Sequence, residues 1–363
     1  MRYAEITGWG KCMPPATLTN DDLSTIMDTS DEWIFSRTGM KERRISHVNA
    51  DELAYVAAAR AIAAAGLEVN DIDGILFGSM TPTTLMPNCS SYVQKRLGNK
   101  VAACMDLNSA CCSFLYAIST ATSLIQAGVM NKVVVIGAEK LSWFLDWTNR
   151  NVSVLFGDGA GAVVLEATSE PVGVLSSKLG CYGDMRDTLA TDNFGSGANR
   201  GLDSYAHISW EFDGQEIFKR ATRGMVLATQ GALADANVDV EEVDWVIPHQ
   251  ANRRIIEAVA KRMNIDMDRV AITVDRYANT SAATIPVTLT EILEQKRIQP
   301  YDKIVMPAFG AGLTWGAAYL RWGARVEPIA EAAVELPPCD KTALELIEPL
   351  LEINRRHKVV VSA

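Results

Sequence analysis

Two adjacent cysteines, Cys111 and Cys112, stand where an apolar run over residues 101–107 gives way to small and apolar residues over 110–127. The first run reads as a short buried strand. The second reads as a helix apolar on every face, hence buried on all sides. Asn108 or Ser109 can cap that helix, and Gly128 suits its end. The pair is therefore expected in the helix's first turn, where unpaired N–H groups and the positive dipole end favour thiolate over thiol. That is a setting for a sulfur nucleophile, although most buried cysteines are simply small core residues. The residues alone leave open which of the two would act.

Composition narrows the field. The chain has 363 residues, 48% of them hydrophobic and 21% charged, as in an ordinary globular protein of about two domains. No apolar run is long enough to span a bilayer, and the N-terminus lacks the apolar stretch of a secretion signal. Seven scattered cysteines without a C-x-x-C pair indicate neither a disulfide framework nor a zinc site, so a reducing cytoplasm is expected. A net charge of −10 argues against nucleic acid as a bulk partner.

The elements that must carry the cysteines recur along the chain. A helix over 53–65 ending at Gly66, a strand over 72–78, the central strand and helix, a strand over 132–137 and a glycine-broken segment over 154–165 follow in order. The same order returns: a helix over 214–236, strands over 243–249, 270–275 and 303–307, and the glycine-rich segment 309–320. The matched stations are offset by about 170 residues, which reads as an internal duplication. Two such units would form a layered α/β protein with pseudo-two-fold related halves. The expected units are residues 1–171, 172–323 and an extension over 324–363. In α/β layers ligands gather where strands end and helices begin. Cys111 lies at such a corner of the first copy, Asn279 at the matching corner of the second, and His249 ends the earlier strand. The three can converge near the axis between the halves. His47, His207 and His357 have no such setting.

Six segments in register now identify a relative. They are Asp28-Thr-Ser-Asp-Glu-Trp33 with Arg37-Thr-Gly39, Ala110-Cys111 with Phe114, Phe156-Gly-Asp-Gly-Ala-Gly-Ala162, Pro248-His-Gln-Ala-Asn252, Asn279-Thr-Ser-Ala-Ala283 and Phe309-Gly-Ala-Gly-Leu-Thr-Trp-Gly316. From Met1 to Trp322 the chain resembles the β-ketoacyl–acyl carrier protein synthase III family of the thiolase-like fold. The resemblance implies that Cys111, not Cys112, is the nucleophile, with His249 and Asn279 as its partners. It implies attack of Cys111 on an acyl-coenzyme A, with the backbone amides of Cys111 and Ala311 as oxyanion hole. A malonyl thioester on acyl carrier protein would then lose carbon dioxide, and its enolate would be held by His249 Nε2 and the Asn279 amide. Burial should keep His249 neutral for that donor role. Trp33, Arg37, Arg150 and Asn252 would bind coenzyme A. Lys219, Arg220, Arg223, Arg253, Arg254, Lys261 and Arg262 are the candidate carrier-protein patch. A homodimer is implied, and no cofactor or metal.

Departures from the family pattern are informative. Ala311 replaces a common glycine, and no positive φ is expected there. Tyr277-Ala278 stands where histidine-glycine is frequent, and Ser113 replaces a glycine. Met86 occupies a loop position that in the family reaches the neighbour's acyl pocket; a flexible methionine there predicts acceptance of medium-chain acyl groups. In the extension, prolines 328, 337 and 338 stiffen a linker, and Asp340 is expected to cap a helix to about residue 357, bent at Pro349. Two rival functions are acyl transfer to an amine or hydroxyl on the same fold, and a silent partner subunit. Degradative thiolases need a second cysteine in the last glycine-rich turn, which has none here.

Overall fold

The computed structural model describes residues 1–191 and 208–361, with side chains to 356; His207 and the side chain of His357 lie outside the described residues. Runs of β-branched and small residues build two sheets on one plan. In the first, strands Tyr3–Cys12, Gly159–Thr168, Lys132–Glu139, Gly74–Gly78 and Ala103–Leu107 lie side by side in that order. In the second the order is Gly173–Cys181, Thr314–Arg321, Lys303–Gly310 and Trp245–Val246. Each sheet pairs its first two neighbours antiparallel and then turns parallel. The duplicated layout is thus a property of the backbone.

Helices Ser113–Gln126 and Thr284–Glu294 form the layer between the sheets, sharing one core with side chains such as Leu115, Ile118, Leu289, Ile304 and Leu320. Helix Ala50–Ala65 covers the outer face of the first sheet, and Gly214–Ala236 with Arg253–Met263 covers that of the second. Fully burying each large aliphatic chain contributes about 1.5–3 kcal/mol, so the apolar layers fix the corners between them. Close approach sets the depth of the middle layer. A Cβ on Gly137 would lie 2.3 Å from the Ala282 carbonyl oxygen, so only glycine lets that backbone rest on the strand.

The matching of the halves is imperfect at the site. The expected strand over 243–249 keeps only Trp245–Val246 as regular sheet, although Ile247 and His249 still donate to Val305 and Pro307 at 2.9 and 2.8 Å. Pro248 and Pro307 have no N–H with which to complete the ladder. The segment 270–275 is not a strand. One bridge, Val246 to Val270, survives, and Val274–Tyr277 turns helical. The buried Gln250 side chain takes over there, accepting from Thr273 and Val274 N–H at 2.9 and 3.1 Å and donating to Ala271 O at 3.1 Å.

Beyond the second sheet the chain crosses the first half as an extended strap. Arg60 holds it through Glu335 at 2.8 Å and the Val334 carbonyl at 3.2 Å, and His47 Nε2 meets Pro337 O at 2.8 Å. The helix that follows, Ala343–Val361, starts later than expected. Its cap is Thr342, not Asp340: Thr342 N–H donates to Glu345 at 2.7 Å and Glu345 N–H to Thr342 Oγ1 at 3.3 Å. Ala343, Ile347 and Leu351, four residues apart, bury one face against Leu18, Ile45 and Trp147, while Pro349 sits on the exposed side.

Candidate active site

The middle helix begins at Ser113, so Cys111 is not in its first turn but two residues before it. A tight corner holds it there. Ala110 takes a left-handed φ of 49°, Cys112 N–H donates to Ser109 O at 3.1 Å, and Ser113 N–H donates to Ala110 O at 2.9 Å. Ser113 is fully buried; its hydroxyl accepts from Ser109 N–H at 2.8 Å and donates to Ala110 O at 2.7 Å. It therefore braces the corner. Cys112 faces the core.

The expectation of a thiolate is corrected. Burial pushes the Cys111 thiol up to about 12, against the opposing hydrogen bond from Ser281. The Cys112 and Ser113 amides, which would have faced the sulfur at a helix start, are spent inside the corner, and the hydrogen bond from the Cys111 backbone does not offset burial. At rest Cys111 is a thiol, still partly exposed on a pocket wall.

That pocket has a volume of about 1050 Å³, and Cys111, His249 and Asn279 all line it. His249, just beyond the strand Trp245–Val246, is fully buried, and burial holds its imidazole down at about 3, hence neutral. Its Nδ1 lies 2.7 Å from Thr284 Oγ1, which is itself 3.0 Å from Ser281 O. Thr284 has one hydroxyl proton. Directed at Nδ1, it leaves the proton of the imidazole on Nε2; Ser281 O keeps the N–H of Thr284 in either case. Asn279 is anchored by backbone bonds on both sides, to Leu155 O at 3.0 Å and from Gly157 N at 3.1 Å. Its Oδ1 accepts from Ser281 N–H at 2.8 Å, which turns the NH₂ group toward the pocket. Ala278 just before it stands at φ 53°, ψ −153°, a region normally kept for glycine.

The glycine-rich turn closes on the nucleophile. A Cβ on Gly310 would come within 2.8 Å of the Cys111 nitrogen, so glycine is required for this contact. Thr314 Oγ1 ties the turn to Ser109 O at 2.9 Å and to Ala311 O at 3.0 Å. Ala311 escapes the positive φ, which falls on Gly312 at 126°.

At the mouth, Arg37 and Arg150 place guanidinium groups 4.8 and 5.1 Å from the Trp33 ring centroid. Trp33, Arg37, Asn252 and Arg254 line the pocket; Arg150 is tethered to Asp28 O at 2.6 Å beside it. Asn252 caps helix Arg253–Met263 through Arg254 N–H at 2.8 Å and donates to Arg37 O at 3.1 Å, so half its amide is already engaged. Of the basic set, Lys219 and Arg220 pair with Glu216 and Arg253 with Glu257 on their own helices. Arg254, Lys261 and Arg262 remain exposed. Met86 does not line this pocket; it is 89% exposed, beside the exposed Leu85. Residues without an expectation from the sequence also belong here: Ser281, Thr284 and the fully buried Glu139. Among the described residues no cluster of His, Cys, Asp or Glu could hold a metal ion.

A cysteine, a neutral histidine and an oriented amide, brought together by two related halves, define a thiolase-like acyltransferase. The comparisons with known proteins give the family. Residues 105–183 match the model described as 3-oxoacyl-[acyl-carrier-protein (ACP)] synthase III, and residues 233–322 match that of its C terminal part. A β-ketoacyl-[acyl-carrier-protein] synthase III 2 of Vibrio cholerae is 52% identical, covering 98% of each chain. A β-ketoacyl-[acyl-carrier-protein] synthase III of Xanthomonas axonopodis is 44% identical over 88% of this chain and 98% of its own. The crystal structure of 3-oxoacyl-[acyl-carrier-protein] synthase III from Aquifex aeolicus superimposes with a TM-score of 0.83 at 41% identity, covering 88% of this chain and all of that one. The chain belongs to the 3-oxoacyl-[acyl-carrier-protein] synthase III family. The share left unmatched by the last two is about the size of the C-terminal extension.

Proposed function

We propose that this chain is a decarboxylative condensing enzyme that joins an acyl-coenzyme A primer to malonyl–acyl carrier protein. The products are 3-oxoacyl–acyl carrier protein, carbon dioxide and coenzyme A. The observation that carries the reading is the meeting of Cys111, His249 and Asn279, from three separate segments, on one pocket. Cys111 attacks the primer thioester, and the oxyanion is received by the amides of Cys111 and Ala311; the close approach of Gly310 to the Cys111 nitrogen supports this. The acyl group then waits on sulfur. Malonyl–acyl carrier protein loses carbon dioxide, and the charge that builds on its thioester oxygen is met by Nε2–H of His249 and the NH₂ of Asn279. A neutral imidazole and an amide suit that task because they donate without titrating near neutrality.

Trp33, flanked by Arg37 and Arg150, is the seat for the adenine and phosphates of coenzyme A; Asn252 has one N–H left for the pantetheine arm. Exposed Arg254 and Lys261, two turns apart on one helix, with Arg262, Arg253 and Lys219 nearby, offer the acidic carrier a docking face. A homodimer is supported by the unpaired edge strand Ala103–Leu107 and the exposed Leu85 and Met86 beside it. In that dimer Met86 would border the partner's acyl pocket and admit medium chains. Residues 1–171 and 172–323 are the two catalytic halves and 324–363 a docked extension. No helix among the described residues is long and apolar enough to cross a membrane, and the cytoplasm is the proposed compartment. A panel of acyl-coenzyme A primers with malonyl–acyl carrier protein, run on wild type and Cys111→Ala, tests the reading. Carbon dioxide and 3-oxoacyl product should form only with Cys111, and octanoyl primers should be used at rates comparable with acetyl. A strong preference for acetyl sinks the chain-length part.

A further inference from the structure

Arg43 is fully buried, and among the described residues no carboxylate pairs with it. Its guanidinium spans three segments of chain instead. Nη1 donates to Leu18 O at 3.2 Å and to Asn20 Oδ1 at 2.9 Å, and Nη2 donates to Val154 O at 2.8 Å. Nε has no partner. Burial lowers the group to about 10, so it stays charged near neutrality. Taking a cation out of water without an anion is unfavourable, and an apolar side chain of like volume would fill the site at lower cost. Packing therefore does not explain an arginine here. What arginine supplies is a planar fork whose donor directions are fixed.

The two ends of the fork lead to the two sides of the Trp33 clamp. Asn20, also buried, takes Arg43 on Oδ1 and directs both protons of Nδ2 onward, to Asp31 Oδ1 and to Met40 O, each at 2.8 Å. Asp31 opens helix Asp31–Thr38, and Met40 follows the Gly39 that ends it. One amide thus holds both ends of the helix that carries Trp33 and Arg37. On the other side, Val154 ends the short helix Arg150–Ser153 and lines the pocket. Arg150, at the start of that helix, lies over the Trp33 ring. The two helices are far apart in sequence, and Arg43 with Asn20 bonds to each.

We propose that Arg43 and Asn20 are positioning residues that set the spacing between Trp33 and Arg150, and with it the grip on the nucleotide end of an acyl-coenzyme A. The inference rests on the coenzyme A seat proposed above and deepens it. Neither side chain lines the pocket or meets Cys111, His249 or Asn279. The pair should therefore matter for primers that carry a nucleotide and not for those that lack one. Asn20→Asp isolates the Trp33 side. A carboxylate still accepts from Arg43, so the wall at Val154 is kept, and with it the neighbouring Leu155 O that holds Asn279 N–H at 3.0 Å. Both donors toward Asp31 and Met40 are lost, and a like charge then faces Asp31.

The test compares acyl-coenzyme A with the matching acyl-pantetheine, which has no nucleotide, as primers in turnover with malonyl–acyl carrier protein. Full-length wild type, Arg43→Met and Asn20→Asp are used, and amide hydrogen exchange over residues 31–38 and 150–156 is followed on the same proteins. Asn20→Asp should raise KM for acyl-coenzyme A by about tenfold, the scale of a lost ring–cation seat, and leave kcat within about twofold. Its use of acyl-pantetheine should stay within about twofold of wild type, and exchange should quicken over 31–38 alone. Arg43→Met should quicken exchange over both segments and raise the same KM by about tenfold or more. If Arg43→Met does not fold, Asn20→Asp decides, because it keeps Arg43 paired. An unchanged KM for acyl-coenzyme A in folded Asn20→Asp, or equal losses with the two primers, overturns the proposal. Equal use of both primers by wild type would refute the coenzyme A seat itself. Joint loosening of both segments in Arg43→Met would then still support the coupling of the two helices, and unchanged exchange would overturn it.

Discussion

Asn279→Asp separates the two half-reactions. The substitution keeps shape, and one carboxylate oxygen can still accept the Ser281 N–H now 2.8 Å from Oδ1. What changes is the atom facing the pocket, from an NH₂ donor to a charged oxygen. Losing one donor to a developing oxyanion commonly costs about 10²–10³-fold in rate, or roughly 2.7–4 kcal/mol. Like charges about 3.5 Å apart at an effective dielectric of ~20 add a repulsion of order 4–5 kcal/mol. Condensation should therefore fall by at least ~10³-fold, since each 1.36 kcal/mol is a factor of ten. Acylation of Cys111 uses neither atom and should survive. The assay is paired: a stoichiometric burst of free coenzyme A from the primer, and carbon dioxide from malonyl–acyl carrier protein. The burst should remain while carbon dioxide release collapses. Residual condensation should rise as pH falls, because the introduced carboxyl group regains an O–H donor once protonated. Condensation at the wild-type rate, or loss of the burst in step with it, refutes the assignment of Asn279 to the second half-reaction.

Other consequences can be measured directly. Ala278→Gly should raise stability by about 0.5–2 kcal/mol, since relief of ~1–3 kcal/mol of strain outweighs glycine's added chain entropy; denaturant midpoints check this. His249, held at about 3 when folded, binds a proton in the unfolded state below its ordinary value near 6.5. Its contribution is thus full above that value and declines toward pH 3 at up to ~1.4 kcal/mol per unit, so stability of wild type minus His249→Gln should fall on acidification. For the same reason kcat should show no histidine titration between about pH 5.5 and about pH 8. Removing residues 324–363 uncovers the face now sealed by Ile347 and Leu351, a loss of about 3–6 kcal/mol gross, and should lower Tm and raise KM for acyl-coenzyme A through the Trp33 helix, which shares that cluster.

The duplicated order of elements was readable because apolar runs and glycines punctuate both copies alike; helix Gly214–Ala236 falls on the expected bounds. Where side chains replace backbone pairing, pattern reading failed. Residues 270–275 have the composition of a strand, but Gln250 takes their N–H groups and bends the chain. The thiolate expectation failed for a related reason: the corner before Ser113 consumes the amides that a longer helix would have turned toward Cys111. Glu139 left a faint signal, a charge closing the apolar run 133–138 of strand Lys132–Glu139. Ser281 left none, since nothing in a Thr-Ser-Ala run announces a left-handed hub. The strain at Ala278 was legible only as a missing glycine, and the cap at Thr342 only as a threonine three residues before Glu345.

The central claim is that one sulfur carries the acyl group between two reactions. Incubating the protein with an acyl-coenzyme A, digesting it, and weighing the peptide that contains Cys111 and Cys112 tests it most directly. A single acyl group on Cys111, discharged with carbon dioxide when malonyl–acyl carrier protein is added, is the predicted result. An acyl group on Cys112 or elsewhere, or one that malonyl–acyl carrier protein does not discharge, contradicts the account.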